Sequence, residues 1–220
     1  MKYKVFYIYL SVILSSLGFS AAAITNGSGS GYISSEDPYS NEDPYSNEDP
    51  ENFSFKFIST QPYALELIKY NGNSENVVIP EEVLYNGEVC RIISIATYAF
   101  YGCTSVKTII IPSCVENIVI GYSGSFSGCS MLESIEVAED NIVFSSLNGI
   151  LYDKDKTTLL YWPPRKGDDT IPSMVKAIGE YALSPNNAVT SLVLPEGLEI
   201  IDRYCWSACP CRSRWPGQWR

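Results

Sequence analysis

The chain has 220 residues, 45% of them hydrophobic, an ordinary globular composition with room for one or two domains. Its 25 acidic residues outweigh 15 basic ones for a net charge of −10, which argues against nucleic acid as a partner because phosphate binding draws on clustered Lys and Arg. It contains no histidine, so Ser-His-Asp and Cys-His nucleophile pairs and imidazole metal ligands are excluded.

In chain order, Lys2 and Lys4 precede an uncharged apolar run over residues 5–19, and Ala21, Ala22 and Ala23 supply small residues for a signal peptidase. The run is shorter than the roughly 20 residues of a spanning helix and breaks into Ser and Gly. Residues 1–23 are therefore predicted to be a signal peptide, with no membrane span after its cleavage. Residues 24–52 form an acidic low-complexity linker: a Gly/Ser-rich stretch, then the hexapeptide EDPYSN at 36–41 and again at 42–47. Seven carboxylates with no basic residue between Glu36 and Glu51, and a Pro in every unit, describe a self-repelling extended tether. Calcium would take such oxygens, but the spacing does not fit a calcium loop.

From Phe53 the character changes. Phe53, Phe55 and Phe57 alternate with polar residues and YALELIKY follows at 63–70, which predicts two strands joined around residues 60–62. This hairpin, residues 53–75, is read as an N-terminal cap over the open edge of the first coil.

The next stretch repeats itself. AFYGC at 99–103 returns as SFSGC at 125–129, 26 residues later, and a period of that size marks a stacked solenoid. Half of each unit is a short strand: NVVIP at 76–80, TIIIP at 108–112, SIEVA at 134–138, TIP at 170–172 and SLVLP at 191–195. The other half sets an aliphatic residue five positions before a bulky one, as in Ile95 and Phe100, Ile178 and Leu183, and Ile201 and Trp206. Pro172 to Pro195 and Ile178 to Ile201 are both 23 apart, while the second coil is longer by three residues inserted between Ile118 and Phe126. One such coil buries about five apolar side chains at roughly 1.5–3 kcal/mol each, against about 1–2 kcal/mol of backbone entropy for every residue ordered. A coil alone cannot fold. Stacking at about 4.8 Å hydrogen-bonds each strand to the next and buries both faces of internal coils. Short parallel strands in one sheet, with loops or short helical turns opposite, are expected over residues 76–209.

An enlarged coil at 139–169 departs from the period. Its strands are predicted at 144–147, 150–152 and 158–162, joined at Asn148-Gly149 and across 153–156, Asn-Gly being a strong hairpin signal. After Cys209 the period is lost, and residues 210–220 are read as an irregular, aberrant tail for which a truncated or shifted reading frame is expected. Cys103, Cys129 and Cys209 recur at one place in three units, where a thiol serves as a small buried hydrophobe, so thiols are favoured over disulfides. Cys205, Cys209 and Cys211 could approach a zinc ion, but three ligands are too few for a structural site.

The frame of an aliphatic pair, AFxGC and a short aliphatic run ending in Pro resembles the BspA-type leucine-rich repeat of surface proteins from bacteria and some protozoa. NGILYDKDKTTLLYWPP at 148–164 is similar to a hairpin-bearing unit that recurs in the same family. The resemblance covers residues 76–209 and implies a β-rich leucine-rich-repeat solenoid, secreted or on the cell surface, that binds host or neighbouring-cell proteins. It implies no catalytic, cofactor or metal residues. Two departures stand out: YALSPNNAV at 181–189 loses the Gly-Cys pair to Pro185 and Asn186, and YCWSACP at 204–210 replaces Phe with Trp206.

Chemistry and surface complete the reading. Asp153 and Asp155, or Asp168 and Asp169, could serve as paired carboxylates for glycoside hydrolysis, but they stand beside Lys154, Lys156 and Lys166 on predicted turns and are read as solvated loop charges. The chain is therefore not expected to be an enzyme. If Ile109, Ile111, Ile135, Val137, Leu192 and Leu194 point inward, alternation turns Thr108, Ile110, Ser134, Glu136, Ser191 and Val193 outward as a partner-binding face. Exposed Ile110 and Val193 are equally compatible with the scattered aliphatics of any surface. The expected role is protein binding or adhesion, possible partners being host extracellular-matrix or surface proteins. The alternatives are a non-binding spacer or remnant of a larger surface protein and, behind both, a carbohydrate-active enzyme.

Overall fold

The computed structural model describes residues 50–207 other than 61 and 185; the predicted signal peptide, nearly all of the acidic linker, Cys209, Cys211 and the irregular tail lie outside the described residues. A 3-10 turn at Pro50–Asn52 leads into β1 (Phe53–Thr60), β2 (Tyr63–Tyr70), β3 (Asn76–Val78), β4 (Glu82–Tyr85) and β5 (Glu88–Ile95). Then come β6 (Thr108–Ile111), β7 (Asn117–Ile118), β8 (Ser134–Val137), β9 (Phe144–Leu147) and β10 (Ile150–Asp153). β11 (Thr158–Tyr161), β12 (Ala177–Ile178) and β13 (Ile200–Ile201) complete the elements of the described residues. These elements wind as a β-solenoid of about five turns with nearly no helix.

Two ladders run along its axis. On one side β3, β6 and β8 pair in parallel, with Val77, Ile109 and Ile135 in register and fully buried. On the other, β2, β5 and β7 pair in parallel through Leu67, Ile95 and Ile118, and farther along β11, β12 and β13 pair through Leu159, Ile178 and Ile201. The predicted hairpin is present as β1 against β2, Phe53 facing Tyr70. β2 is also a rung of the parallel ladder, so the hairpin is continuous with the stack.

Each coil turns its corner through equivalent slots. Tyr70 N donates to Ala99 O, Phe100 N to Ser125 O, Trp162 N to Ala182 O and Leu183 N to Cys205 O, one rung apart each time. Rings at or beside these corners line up inside. Phe53, Tyr70, Phe100, Phe126 and Tyr161 form a file of rings with successive centroids 5.1, 5.6, 6.0 and 5.3 Å apart, all tilted. Tilted contacts of that length add about 0.5–1.5 kcal/mol per pair beyond area burial. Ala99, Ser125, Ala182 and Cys205 occupy the small slot one residue earlier, each essentially without exposure.

The Cys slot explains the departure at 181–189. Cys103 Sγ donates to Tyr70 O at 3.8 Å and Cys129 Sγ to Phe100 O at 3.2 Å, each reaching back one coil. Three residues after Leu183 the same slot holds Asn186, fully buried. Its amide donates to Pro163 O and Lys166 O while its oxygen accepts from Ala188 N and Val189 N. Asn141 repeats the arrangement, bonded to Pro112 O, Val115 O, Val143 N and Phe144 N. A buried amide is tolerated only when its donors and acceptors are satisfied, as all are here.

Both hairpin insertions turn on Asn-Gly. The expected one joins β9 to β10, with φ of 53° at Asn148 and 77° at Gly149. The other, not anticipated, joins β4 to β5 through Asn86 and Gly87, at φ of 54° and 88°. Positive φ at both central residues is what a two-residue hairpin turn demands. Two predicted strands, at 170–172 and 191–195, are not formed. Ahead of the second, the carboxylate of Asp168 accepts from Thr190 N and Ser191 N, taking donors that a ladder would use, and at the first Thr170 N donates to Asp169 Oδ1.

Phe100 sits with no exposure between two rings of the file, so Phe100→Ala is expected to cost about 3–5 kcal/mol, read as a lowered denaturant midpoint. The described cysteines, Cys90, Cys103, Cys114, Cys129 and Cys205, are free and buried. Burial raises the Cys114 thiol to about 11 and that of Cys205 to about 12. In the native protein at pH 8 all five are expected to resist iodoacetamide, and in guanidinium all five should label; peptide mapping by mass spectrometry reads both states.

Candidate functional site

The ladder of β3, β6 and β8 presents its outward side chains in rows: Thr108 beside Ser134 and Ile110 beside Glu136. Inward neighbours Ile109, Ile111 and Ile135 are fully buried, as strand alternation requires. Glu136 is exposed and Thr108, Ile110 and Ser134 are half-buried. Of the predicted face, these four residues are brought together. Ser191 and Val193 lie on irregular chain after Thr190, Ser191 tied through its hydroxyl to Asp168 at 3.1 Å and Val193 77% exposed.

Beyond β8 the face deepens. The turn between β9 and β10 packs directly on β8: Ile135 N donates to Gly149 O, and a Cβ placed on Gly149 would stand 2.5 Å from Ser134 Oγ and 3.1 Å from Ser134 Cα. Only glycine fits there, on grounds of space as well as φ. The result is a hollow of about 500 Å³ lined by Ser134, Glu136, Ser146, Asn148, Lys166 and Asp169, among others. Lys166 Nζ lies 3.1 Å from Asp169 Oδ2, and Asn148 donates to Asp169 Oδ1 at 3.3 Å. Partial burial works against ionisation of Asp169, yet the Thr170 N–H and Lys166 together hold its carboxyl below the usual range. The hollow therefore presents one carboxylate at Glu136, one compensated ion pair and several amide and hydroxyl groups. It can receive a polar chain rather than an apolar plug.

The sequence marks Asn148 as a hairpin residue and Lys166 and Asp169 as loop charges, without joining any of them to the strand face. The available signal was the Asn-Gly hairpin, which lays the enlarged coil against β8. One carboxylate of each sequence pair is occupied by backbone and hydroxyl donors. Asp153 accepts from Thr157 N, Thr158 N and the Thr157 hydroxyl, and Asp168 accepts in the same way from Thr190 and Ser191. Among the described residues no helix is long and apolar enough to cross a membrane.

The chain is similar to known repeat proteins. A family model described as BspA type Leucine rich repeat region matches six copies over residues 69–148 and 168–214, more than half of the chain. No curated protein matches. Solved structures with a similar fold include a leucine-rich repeat protein from Bacteroides ovatus at 23% identity and TM-score 0.46, covering 70% of this chain and 37% of that one. The T. pallidum leucine-rich repeat protein is 20% identical with TM-score 0.42, covering 73% and 66%. A leucine-rich repeat protein from Eubacterium ventriosum is 17% identical with TM-score 0.40, covering 68% and 59%. The chain thus spans less than two thirds of the length of each.

Hydrogen bonds from Ser191 N, the Thr190 hydroxyl and Thr190 N hold the Asp168 carboxyl down, to about 2. A carboxyl lower in the folded than in the unfolded state stabilises the fold above its unfolded value of about 4 and loses that effect as pH falls toward 2. The stability difference between wild type and Asp168→Asn is expected to be constant from pH 7 to about 5 and to shrink between about 4 and 2. Urea midpoints across that range check it, and a difference that does not shrink would contradict the bonding described.

Proposed function

The chain belongs to the BspA-type leucine-rich repeat family, and on that premise we propose that it is a secreted or cell-surface module that binds a protein partner, mediating adhesion to host or neighbouring cells. The observation that carries this reading is the outward row of Thr108, Ile110, Ser134 and Glu136 on two adjacent strands, opening into the polar hollow beside β8. Solenoids bind partners on such extended surfaces because equivalent positions of successive coils fall into rows that a second protein can span. The mix of one aliphatic side chain, hydroxyls and a single uncompensated carboxylate suits a polar, extended segment of a folded or matrix protein. Export of the mature chain is supported by the basic-then-apolar N-terminus followed by three alanines.

Binding of the full chain to a panel of immobilised extracellular-matrix proteins, measured by surface plasmon resonance, tests the reading. At least one protein is expected to bind, with Ile110→Asp combined with Glu136→Lys weakening it at least tenfold while the melting profile is kept. Absence of binding to every member of the panel, or equal binding by the double variant, would overturn it.

A further inference from the structure

A second concavity lies on the corner side of the solenoid, among residues that the strand-face reading does not use. Two positions before Phe100, Leu183 and Trp206 stand Tyr98, Tyr181 and Tyr204, with φ of 59°, 58° and 58°. Left-handed backbone costs a bulky residue roughly 1–3 kcal/mol, a cost that Gly or Asn would largely avoid. The chain nevertheless carries an aromatic there three times. In the coil of Phe126 the same position is Gly124, and the phenol comes instead from the three-residue insertion, whose Tyr122 is 79% exposed.

The insertion ties the corners into one strip. Tyr122 lies 6.1 Å from Tyr181, which stacks 5.3 Å from Tyr204 at an interplanar angle of 16°. On the other side, Tyr98 hydrogen-bonds Ser123 through its hydroxyl at 2.7 Å and meets Tyr101 edge-on at 5.4 Å. Tyr101 is 66% exposed. Between these walls runs a groove of about 420 Å³ with Phe126, Tyr161 and Gly128 among its lining, and with Ser127 and Ser184 at hand. No lining residue is charged, on a chain whose net charge is −10.

The geometry points to a binding groove for a neutral glycan, an extended chain of pyranose units laid across Tyr101 and Tyr122. A pyranose has an apolar C–H face that seats on an aromatic ring, and hydroxyls at its edge that both donate and accept. Tyr and Ser hydroxyls have that same double capacity, so each can answer a sugar hydroxyl in either sense. An acidic or basic polymer finds no opposite charge in the lining and would leave its own charges unpaired on contact. A peptide needs partners for its backbone N–H and C=O groups, whereas residues 119–128, which form one wall, lie in turns and present no strand edge for pairing. Tyr101 and Tyr122 are braced by the corner rings of Tyr98 and Tyr181, and rings supported in this way lose less freedom when a ligand arrives, which favours a shallow site of this kind.

Affinity electrophoresis of the full chain in gels carrying mannan, xylan or mixed-linkage β-glucan, with heparin and polymer-free gels beside them, tests the site. Retardation by at least one of the three neutral polymers and none by heparin is expected. Tyr101→Ala combined with Tyr122→Ala should raise the apparent dissociation constant at least tenfold with an unchanged melt, since both side chains are largely exposed. Tyr122→Leu, which keeps bulk but removes the ring, should also weaken binding. The variant changed at Ile110 and Glu136 should be retarded like wild type, which separates this groove from the strand face. No retardation by any neutral polymer, undiminished retardation of the tyrosine variant, or loss by that variant of binding to an immobilised matrix protein instead would overturn the assignment.

Discussion

The file of tilted rings from Phe53 through Tyr70, Phe100 and Phe126 to Tyr161 is the contact on which the first part of the molecule depends. A coil of this size has too few apolar groups to offset its own ordering entropy, so each ring depends on burial against the neighbouring coils, to which the ring-to-ring contacts add. That imposes a strict condition. Residues that occupy a stacked slot must fit the spacing of the rungs, while residues between slots are free to vary in number. Both hairpin insertions and the three-residue loop before Phe126 are placed between slots, and none displaces a ring from the file.

The same condition explains what can replace what. Trp162, Leu183 and Trp206 follow Phe126 at the bulky corner although their shapes differ, because the backbone bond from one corner to the next is kept at Trp162 and Leu183. Asn186 takes the Cys slot because its amide reaches back to the coil before its own, as Cys129 does through sulfur, and because every polar atom of the amide finds a partner. A polar residue at a solenoid core position is tolerable when it repairs the backbone of an adjacent loop. Here Asn186 holds the Pro163 to Lys166 turn, and Asn141 holds the turn after Pro112.

Much of this architecture was legible in the sequence, and the parts that were not have physical causes. AFYGC and SFSGC announced the ring and thiol slots because both are buried and therefore constrained in type. Asn148-Gly149 announced a hairpin, and Asn86-Gly87 carried the same signal within EEVLYNGEVC. The strand expected at 191–195 fails where Asp168, some twenty residues away, takes the Thr190 and Ser191 N–H groups, and no local pattern records so distant an acceptor; at 170–172 the Thr170 N–H is taken by its neighbour Asp169. For the strand face, alternation placed Thr108, Ile110, Ser134 and Glu136 correctly relative to one another, yet Lys166 and Asp169 join them only through the path of the enlarged coil. The tyrosine strip was hidden for another reason: left-handed φ at Tyr98, Tyr181 and Tyr204 leaves no trace in residue type, since a tyrosine is an unexpected occupant there.

Both concavities arise where stacking is interrupted. One parallel ladder ends at β7 and the other begins at β11, and the buried side chains divide at the same place, Tyr161 with the first cluster and Trp162 with the second. A continuous ladder would present a closed surface, since each rung is covered by the next. At the break, the chain fills one side of the molecule with the β9–β10 hairpin and the other with the loop carrying Tyr122, and neither insertion covers the gap completely. The hollow beside Ser134 and the groove beside Phe126 are the spaces left over. Their contents differ because their builders differ: a charged hairpin coil on one side, and a loop of Gly, Tyr and Ser on the other. A solenoid whose regular coils are committed to stacking thus acquires its concavities at the coil that breaks the regularity.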